Sequence, residues 1–313
     1  MGIYIWITDH LPFGKKIKRM SQQIPEIQLK MDRLMIKTDS LTCRYLWDKT
    51  LNCKESGVSN DQLCNEEIVV SLTSFGDRIH YVHLAIESIM QQTIKPNRIV
   101  LWLAEDEFKE DALPIALQLQ QKRGLEIAYC EDLKSYNKLI PSLKRFPDSC
   151  VITIDDDIAY NPDMVERLIN AHKENQTDIC ANRIHGIMLD EKDEIKPYLE
   201  WQWCVNRCPE NNNLAFFTGV GGVLYPPHCF PDEVFNKSFF MGMSGKADDV
   251  WFNAMRLLND VNVIKVFTMN STGDFTVLSS SNINPLGSNN LNGGNDNAIN
   301  AVYRHYDLID KLK

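Results

Sequence analysis

Val151-Ile152-Thr153-Ile154-Asp155-Asp156-Asp157 decides the fold, because a short apolar strand runs straight into three adjacent carboxylates. A strand this apolar belongs to a parallel sheet with helices on both faces. The same strand-helix alternation surrounds it. Upstream, Ile68–Ser74, Arg98–Ala104 and Leu125–Tyr129 read as strands, with helices expected at His80–Gln92, after Pro114, and at Leu133–Leu143. Downstream, a helix is expected from near Pro162, a favoured first helical residue. This βαβα order predicts an α/β fold with a mostly parallel sheet. After Asp178–Arg183 the regularity fails, and residues 186–247 are rich in Trp, Asn, Gly and Pro. A helix returns at Asp248–Leu258, and the Asn/Ser/Gly-rich stretch Ser279–Asn300 reads as loop.

Ligands of parallel sheets bind beyond the carboxyl ends of the strands, so the aspartate triplet stands where chemistry is expected. Three adjacent carboxylates repel one another. A divalent cation such as Mn2+ or Mg2+ relieves that repulsion and also binds substrate phosphates. The plainer alternative is that one acid caps the next helix while the others are solvated. Composition fits an ordinary globular protein: 313 residues, 44% apolar and 24% charged, enough to bury a sizeable core. A net charge of −9 argues against an extended nucleic-acid surface. The charge is uneven, since residues 1–45 hold eight Lys/Arg and four Asp/Glu, leaving −13 for the remainder. The nine cysteines are scattered, and the close pair Cys204 and Cys208 lacks a second pair at zinc-ligand spacing, so reduced thiols in a cytosolic protein are expected.

On these residues, the run from Ile68 to about Leu258 resembles the GT-A glycosyltransferases, a Rossmann-like fold, and especially bacterial enzymes that build capsular or surface polysaccharide. Asp155-Asp156-Asp157 looks like the DxD motif of that family. The resemblance implies a nucleotide-diphosphate sugar donor, a UDP-sugar being favoured, with Asp155 and Asp156 on the donor and Asp157 with Asp155 on Mn2+ or Mg2+. Lys246-Ala247-Asp248-Asp249-Val250-Trp251 resembles the family's acidic pair at a helix start. It implies that Asp249, or next to it Asp248, deprotonates an acceptor hydroxyl. A carboxylate suits that task because the hydroxyl becomes acidic only as the new bond forms. The competing reading makes Asp248 a helix cap, with Asp249 favouring the positive helix end.

Other donor-site candidates follow from their places at strand ends. Thr73, Ser74 and Arg78 follow the first strand, Glu105 and Asp106 end the second, and Asp132 follows the third. Lys138, in Ser135-Tyr136-Asn137-Lys138, looks like the family's basic residue that neutralises the diphosphate. The Gly-rich segment Phe217–Pro227 lacks a Gly-Lys-Ser/Thr sequence and reads as tight backbone near the donor sugar or acceptor. Tyr198, Trp201 and Trp203 are offered for stacking on sugars or for the core. His185 and His305 are left out of the metal set, and Asn295-Asp296 is assigned to a loop closing over the nucleotide.

Domains are expected at 1–66 (helical extension and linker), 67–278 (catalytic) and 279–313 (a loop and short helix closing on the catalytic domain). From Ile17, the residues Ile17, Met20, Ile24, Ile27, Met31, Leu34, Thr38, Leu41 and Tyr45 form a heptad seam in which Pro25 should kink or interrupt the helix. The seam either packs on the chain's own catalytic domain, makes an oligomer contact, or lies on an anionic membrane. Ile3-Tyr4-Ile5-Trp6-Ile7 is too short to span a bilayer. The expected setting is the cytoplasm, with peripheral contact to the inner face of the membrane left open, and the expected acceptor is a glycan or lipid-linked glycan. The rival readings are a sugar-nucleotide pyrophosphorylase, which wants a basic Gly-rich loop after the first strand where Ser71–Gly76 stands, and a non-catalytic carbohydrate-binding relative.

Overall fold

Strands β1 (Ile68–Thr73), β2 (Arg98–Ala104), β3 (Leu125–Cys130) and β4 (Cys150–Thr153) form where the apolar runs predict them. The computed structural model describes residues 12–108, 113–283 and 293–313. With β6 (Ile179–Ala181), β9 (Val223–Tyr225) and β10 (Val263–Lys265) these strands make a seven-stranded sheet in the order β10-β6-β9-β4-β1-β2-β3. Every pairing is parallel except those of β9, which runs antiparallel to both β4 and β6. Two small antiparallel ribbons flank it: β5 (Ile158–Tyr160) with β11 (Phe275–Val277), and β7 (Ile184–Gly186) with β8 (Ala215–Phe217).

Side chains alternate across the sheet, so each strand feeds two cores. Ile152, Ile68 and Val70 pack against α2 (Val82–Met90) and α5 (Met164–Glu174) through Val82, Ile86, Val165 and Leu168. Val151, Val223 and Tyr225 face the other way, toward α6 (Asp248–Leu258) and α7 (Asn295–His305). At about 25 cal/mol per Å2 of apolar surface, each such fully buried aliphatic contributes roughly 1.5–3 kcal/mol.

Three departures from expectation have local causes. The helix expected at Leu133–Leu143 splits into a tight turn at Lys134–Lys138 and α4 (Ile140–Arg145), α3 being Ile115–Gln121. Pro141 has no N–H and would clash inside a helix, but it fits the first turn of a new one. The Asn137 side chain also bends back to accept the Leu133 N–H at 2.9 Å. Similarly, a tight turn over Gly76–His80 precedes α2. The short helix expected in the tail, α7, starts at Asn295, inside the stretch Ser279–Asn300 expected as loop, and is anchored by Ala298, Ile299, Val302 and Tyr303 in the core. Residues 284–292 of that tail lie outside the described residues.

Among the described residues the chain divides into two compact units between Tyr45 and Leu46. Helix α1 (Pro12–Asn52) continues through Pro25, so of the expected kink or interruption the interruption is absent. Ile24, Ile27, Leu34, Leu41 and Tyr45 of the seam are exposed. Its polar member Thr38 satisfies its own hydroxyl by donating to Leu34 O at 2.9 Å. The run Ile3–Ile7 lies outside the described residues. Beyond the unit boundary, Leu46 and Thr50 are buried, and the Trp47 ring meets His83 edge-on at 4.7 Å. Thr50, Gln91 and Gln120 donate to Glu87, which also receives both of its oxygens' bonds from Arg123 Nη1 at 3.0 and 2.8 Å. Both Glu87 oxygens are hydrogen-bonded, as an ion pair needs in order to survive burial, while Arg123 Nη2 is buried without a partner. No described helix is long and apolar enough to cross a membrane.

Candidate active site

A cleft of about 890 Å3 opens beyond the carboxyl ends of β1, β2, β3 and β4. The chain turns sharply after Thr153, so that the three aspartates enter the cleft wall by different routes. Asp156 points inward. It is buried, accepts the Ser74 hydroxyl at 2.6 Å, and takes Arg78 Nη1 at 2.7 Å. Burial pushes its pKa up, and the Arg78 charge opposes that. Asp155 and Asp157 remain partly open to the cleft, with side chains 26% and 18% exposed. Asp157 is pushed up to about 6 by burial and by its two acidic neighbours, with Arg78 at 3.1 Å only partly compensating. None of the three precedes a helix, since β5 follows, so the helix-cap alternative for the triplet falls away.

The second acidic motif comes from 90 residues further along the chain and meets the first across one ammonium. Lys138 Nζ lies 3.1 Å from Asp155 Oδ1 and 3.1 Å from Asp248 Oδ2. Burial alone would lower the lysine pKa, but Asp155, Asp248 and Asp249 together drive it upward. The break before α4 ends the turn at this residue. Asp248 and Asp249 are the first two residues of α6, and neither caps it, because the capping position is Ala247. Asp249 Oδ1 accepts the Gly219 N–H at 3.0 Å. Burial first, and then the adjacent Asp248, raise the Asp249 pKa, against the pull of Lys138.

Gly219 is there for clearance. A Cβ on it would stand 2.8 Å from Lys138 Nζ and 3.2 Å from Asp249 Oδ1, so a side chain would displace the ammonium. Gly221 and Gly222 follow with φ of +100° and +96°, turning the backbone into β9 in a conformation that L side chains rarely adopt.

Thr73, Asp106 and Asp132 also line the cleft. Thr73 donates its hydroxyl to Trp102 O at 2.8 Å, and Asp132 is engaged by Lys134 through both its backbone N–H and its ammonium. Glu105 does not line the cleft. It is exposed, and its backbone N–H extends the β2–β3 pairing by donating to Cys130 O. Its neighbour Glu107 lines the cleft instead and accepts the Gly76 N–H at 2.6 Å. Tyr198 and Trp203 face the cleft, whereas Trp201 is buried against Phe216. His185 is buried, accepts the Cys204 N–H at 2.9 Å, and is held neutral by burial with its pKa lowered to about 3. His305 packs on Tyr306 and Phe239 outside the cleft. Asn295 reaches the cleft from the first turn of α7, and Asp296 accepts the Tyr198 N–H at 2.7 Å. Thr218, from the Gly-rich segment, and Arg183, not singled out in the sequence, also line the wall.

The lining acids Asp106, Glu107, Asp132, Asp155, Asp156, Asp157, Asp248 and Asp249 outnumber the bases Arg78, Lys134, Lys138, Arg183 and Lys246. An anionic ligand therefore needs a cation to enter. The half-open oxygens of Asp155 and Asp157, whose repulsion Lys138 and Arg78 only partly relieve, fit a hard divalent cation such as Mn2+ or Mg2+.

No family model matches the sequence, and no curated protein matches it. Solved structures similar to the chain match it with TM-scores below 0.5. One is the mannosyltransferase PcManGT from Pyrobaculum calidifontis in complex with GDP-Man and Mn2+, at 13% identity over 74% of this chain and 64% of that one, with a TM-score of 0.44. Residues 1–349 of S. aureus TarS match at 12% identity over 69% and 62% of the two chains, with a TM-score of 0.45. The same TarS segment in complex with UDP gives 11%, 69%, 61% and 0.46. The chain thus covers less than two thirds of the length of the solved chains it matches.

Proposed function

We propose that the chain is a metal-dependent glycosyltransferase of the GT-A type, moving a sugar from a nucleotide-diphosphate donor to a hydroxyl of a glycan or lipid-linked acceptor. One observation carries this reading: two acidic motifs far apart in sequence converge on the Lys138 ammonium at the carboxyl end of the sheet. Asp155 and Asp157 would hold Mn2+ or Mg2+, which when bound acts as a Lewis acid on the departing diphosphate. Lys138 and Arg78, which pair with Asp155, Asp156, Asp157 and Asp248, would supply positive charge to the diphosphate of a bound donor. Asp106 and Asp132, beyond β2 and β3, stand where the nucleoside would lie, and Tyr198 and Trp203 offer faces to a sugar.

Asp249 takes the acceptor proton. Its raised pKa makes it a better base than an ordinary carboxylate near neutral pH, and Gly219 N–H holds it in place. Direct attack assisted by such a base inverts the anomeric centre. The exposed apolar seam of residues 24–45, with a net charge of +4 over residues 1–45 of an otherwise acidic chain, supports weak attachment of α1 to an anionic membrane.

The test is a thermal-shift screen with UDP-, GDP- and CMP-sugars, each with and without Mn2+. A donor present at about 100 times its dissociation constant adds ~2.7 kcal/mol of stability. Stabilisation by one of the nucleotide sugars, in the presence of Mn2+ only, is expected. No shift with any of them overturns the reading.

A further inference from the structure

A second cluster of metal-binding groups lies at the opposite end of β4 from the aspartates. Cys150 is the first residue of that strand, and its thiol is fully buried. His172, from the last turn of α5, brings Nε2 to 3.3 Å from Cys150 Sγ and 3.2 Å from Glu66 Oε2. Cys64 comes from the segment leading into β1. The four ligand atoms, from Cys64, Glu66, Cys150 and His172, all lie within 4.8 Å of one another.

This set has the chemistry of a zinc site. Two thiolates, an imidazole and a carboxylate are the ligands tetrahedral zinc takes, and soft sulfur disfavours Mg2+ and Mn2+. The spacing also fits. Bonds of about 2.3 Å to sulfur and 2.0–2.1 Å to nitrogen and oxygen, at tetrahedral angles, hold ligand atoms roughly 3.3–3.8 Å apart. The observed 3.2 and 3.3 Å contacts are already near that range. Without an ion, one imidazole nitrogen is shared by a thiol and a carboxylate in a pocket where His172 is only 1% exposed. The spacing of the ligands along the chain hides the site, since 64 and 66 are far from 150 and 172.

We infer that Cys64, Glu66, Cys150 and His172 bind one structural zinc ion, which pins the segment entering β1 to β4 and to the end of α5. The ion is tied to three elements of the sheet's amino-terminal edge, away from the cleft, and takes no part in the transfer chemistry.

The experiment uses the full chain purified from zinc-supplemented cells, with metal measured by mass spectrometry. Zinc at one equivalent per chain is expected, as a folded structural site retains its metal. Cys64→Ser and Glu66→Gln, both at half-buried positions, should lose most of it. A readout on the wild type alone guards against misfolded variants. Stripping with a zinc chelator should make Cys64 react with iodoacetamide, and added Zn2+ should protect it again while Mn2+ does not. Replacement by Co2+ should give the intense thiolate-to-cobalt absorption of a sulfur-ligated site. Three outcomes overturn the inference: wild-type chain that neither contains zinc nor is protected by it, zinc content unchanged in both variants, or a Cys64–Cys150 disulfide in the purified protein.

Discussion

Asp249 is the residue on which the proposed chemistry turns, and its surroundings give it a testable signature. Its carboxylate is buried, beside Asp248, and accepts the Gly219 N–H. Asp249→Asn keeps the shape and the backbone contact but removes the base. Turnover should fall by roughly 10^2-fold or more, the scale of general base catalysis, while donor affinity changes little. Collapse of donor affinity with normal saturated turnover would make Asp249 a binding residue instead. The pH profile follows the same logic. The base works ionised, and its pKa is raised above the ordinary aspartate value of about 3.9, so kcat/KM should fall as pH drops through a range well above that value. An acid limb at the ordinary value would argue against the assignment. Asp155 to Asp157 were legible as a unit because they follow an unbroken apolar strand. The inward turn of Asp156 onto Ser74 and Arg78 was not, because adjacent residues leaving a strand carry no mark of which will be buried.

Among the elements, α1 is the one whose two ends obey different physics. Leu46 and Thr50 are buried within the larger unit, while the seam residues before the unit boundary are exposed. Removing residues 1–45 should therefore leave the melting temperature of the remainder within a degree or two, whereas a chain beginning at Glu66 should melt several degrees lower. That chain loses the burial of Leu46, worth about 1.5–3 kcal/mol, the Thr50 bond to Glu87, and Cys64 of the proposed zinc site. The same pair of chains tests attachment. Full-length protein should co-sediment with anionic vesicles at low salt, and the chain starting at Leu46 should not, because each basic residue near the surface adds up to ~1 kcal/mol that salt screens. Loss of a dimer on truncation, with no vesicle binding by either form, would make the seam an assembly device. The heptad pattern announced this helix plainly. What it could not announce was that Pro25 leaves the helix unbroken, since a missing N–H removes one bond and the surrounding turns hold the rest.

At the scale of the molecule, the parallel strands β1, β2 and β4 were readable because each is an apolar run buried on both faces, and β3, half-buried at the sheet edge, because it repeats the same strand-helix spacing. The second half of the sheet was harder to read. Strands β6, β9 and β10 have three residues each, and β9 runs against its neighbours, so neither length nor alternation signals them. The site shows the same division. Lys138 and both acidic motifs stand at recognisable element ends, and Thr218 and Asn295 lie in segments marked by glycine and asparagine, while Glu107 and Arg183 reach the cleft from irregular segments that local pattern does not distinguish. The central claim is that this convergence of acids is a metal-loaded donor site, and release of nucleoside diphosphate tests it most directly. With the sugar donor chosen by the thermal-shift screen, wild-type protein should release nucleoside diphosphate in the presence of Mn2+ and an acceptor glycan. Asp157→Ala, shown folded by circular dichroism, should release none, and excess EDTA should stop the wild type. Full activity in EDTA, or in Asp157→Ala, would contradict the account.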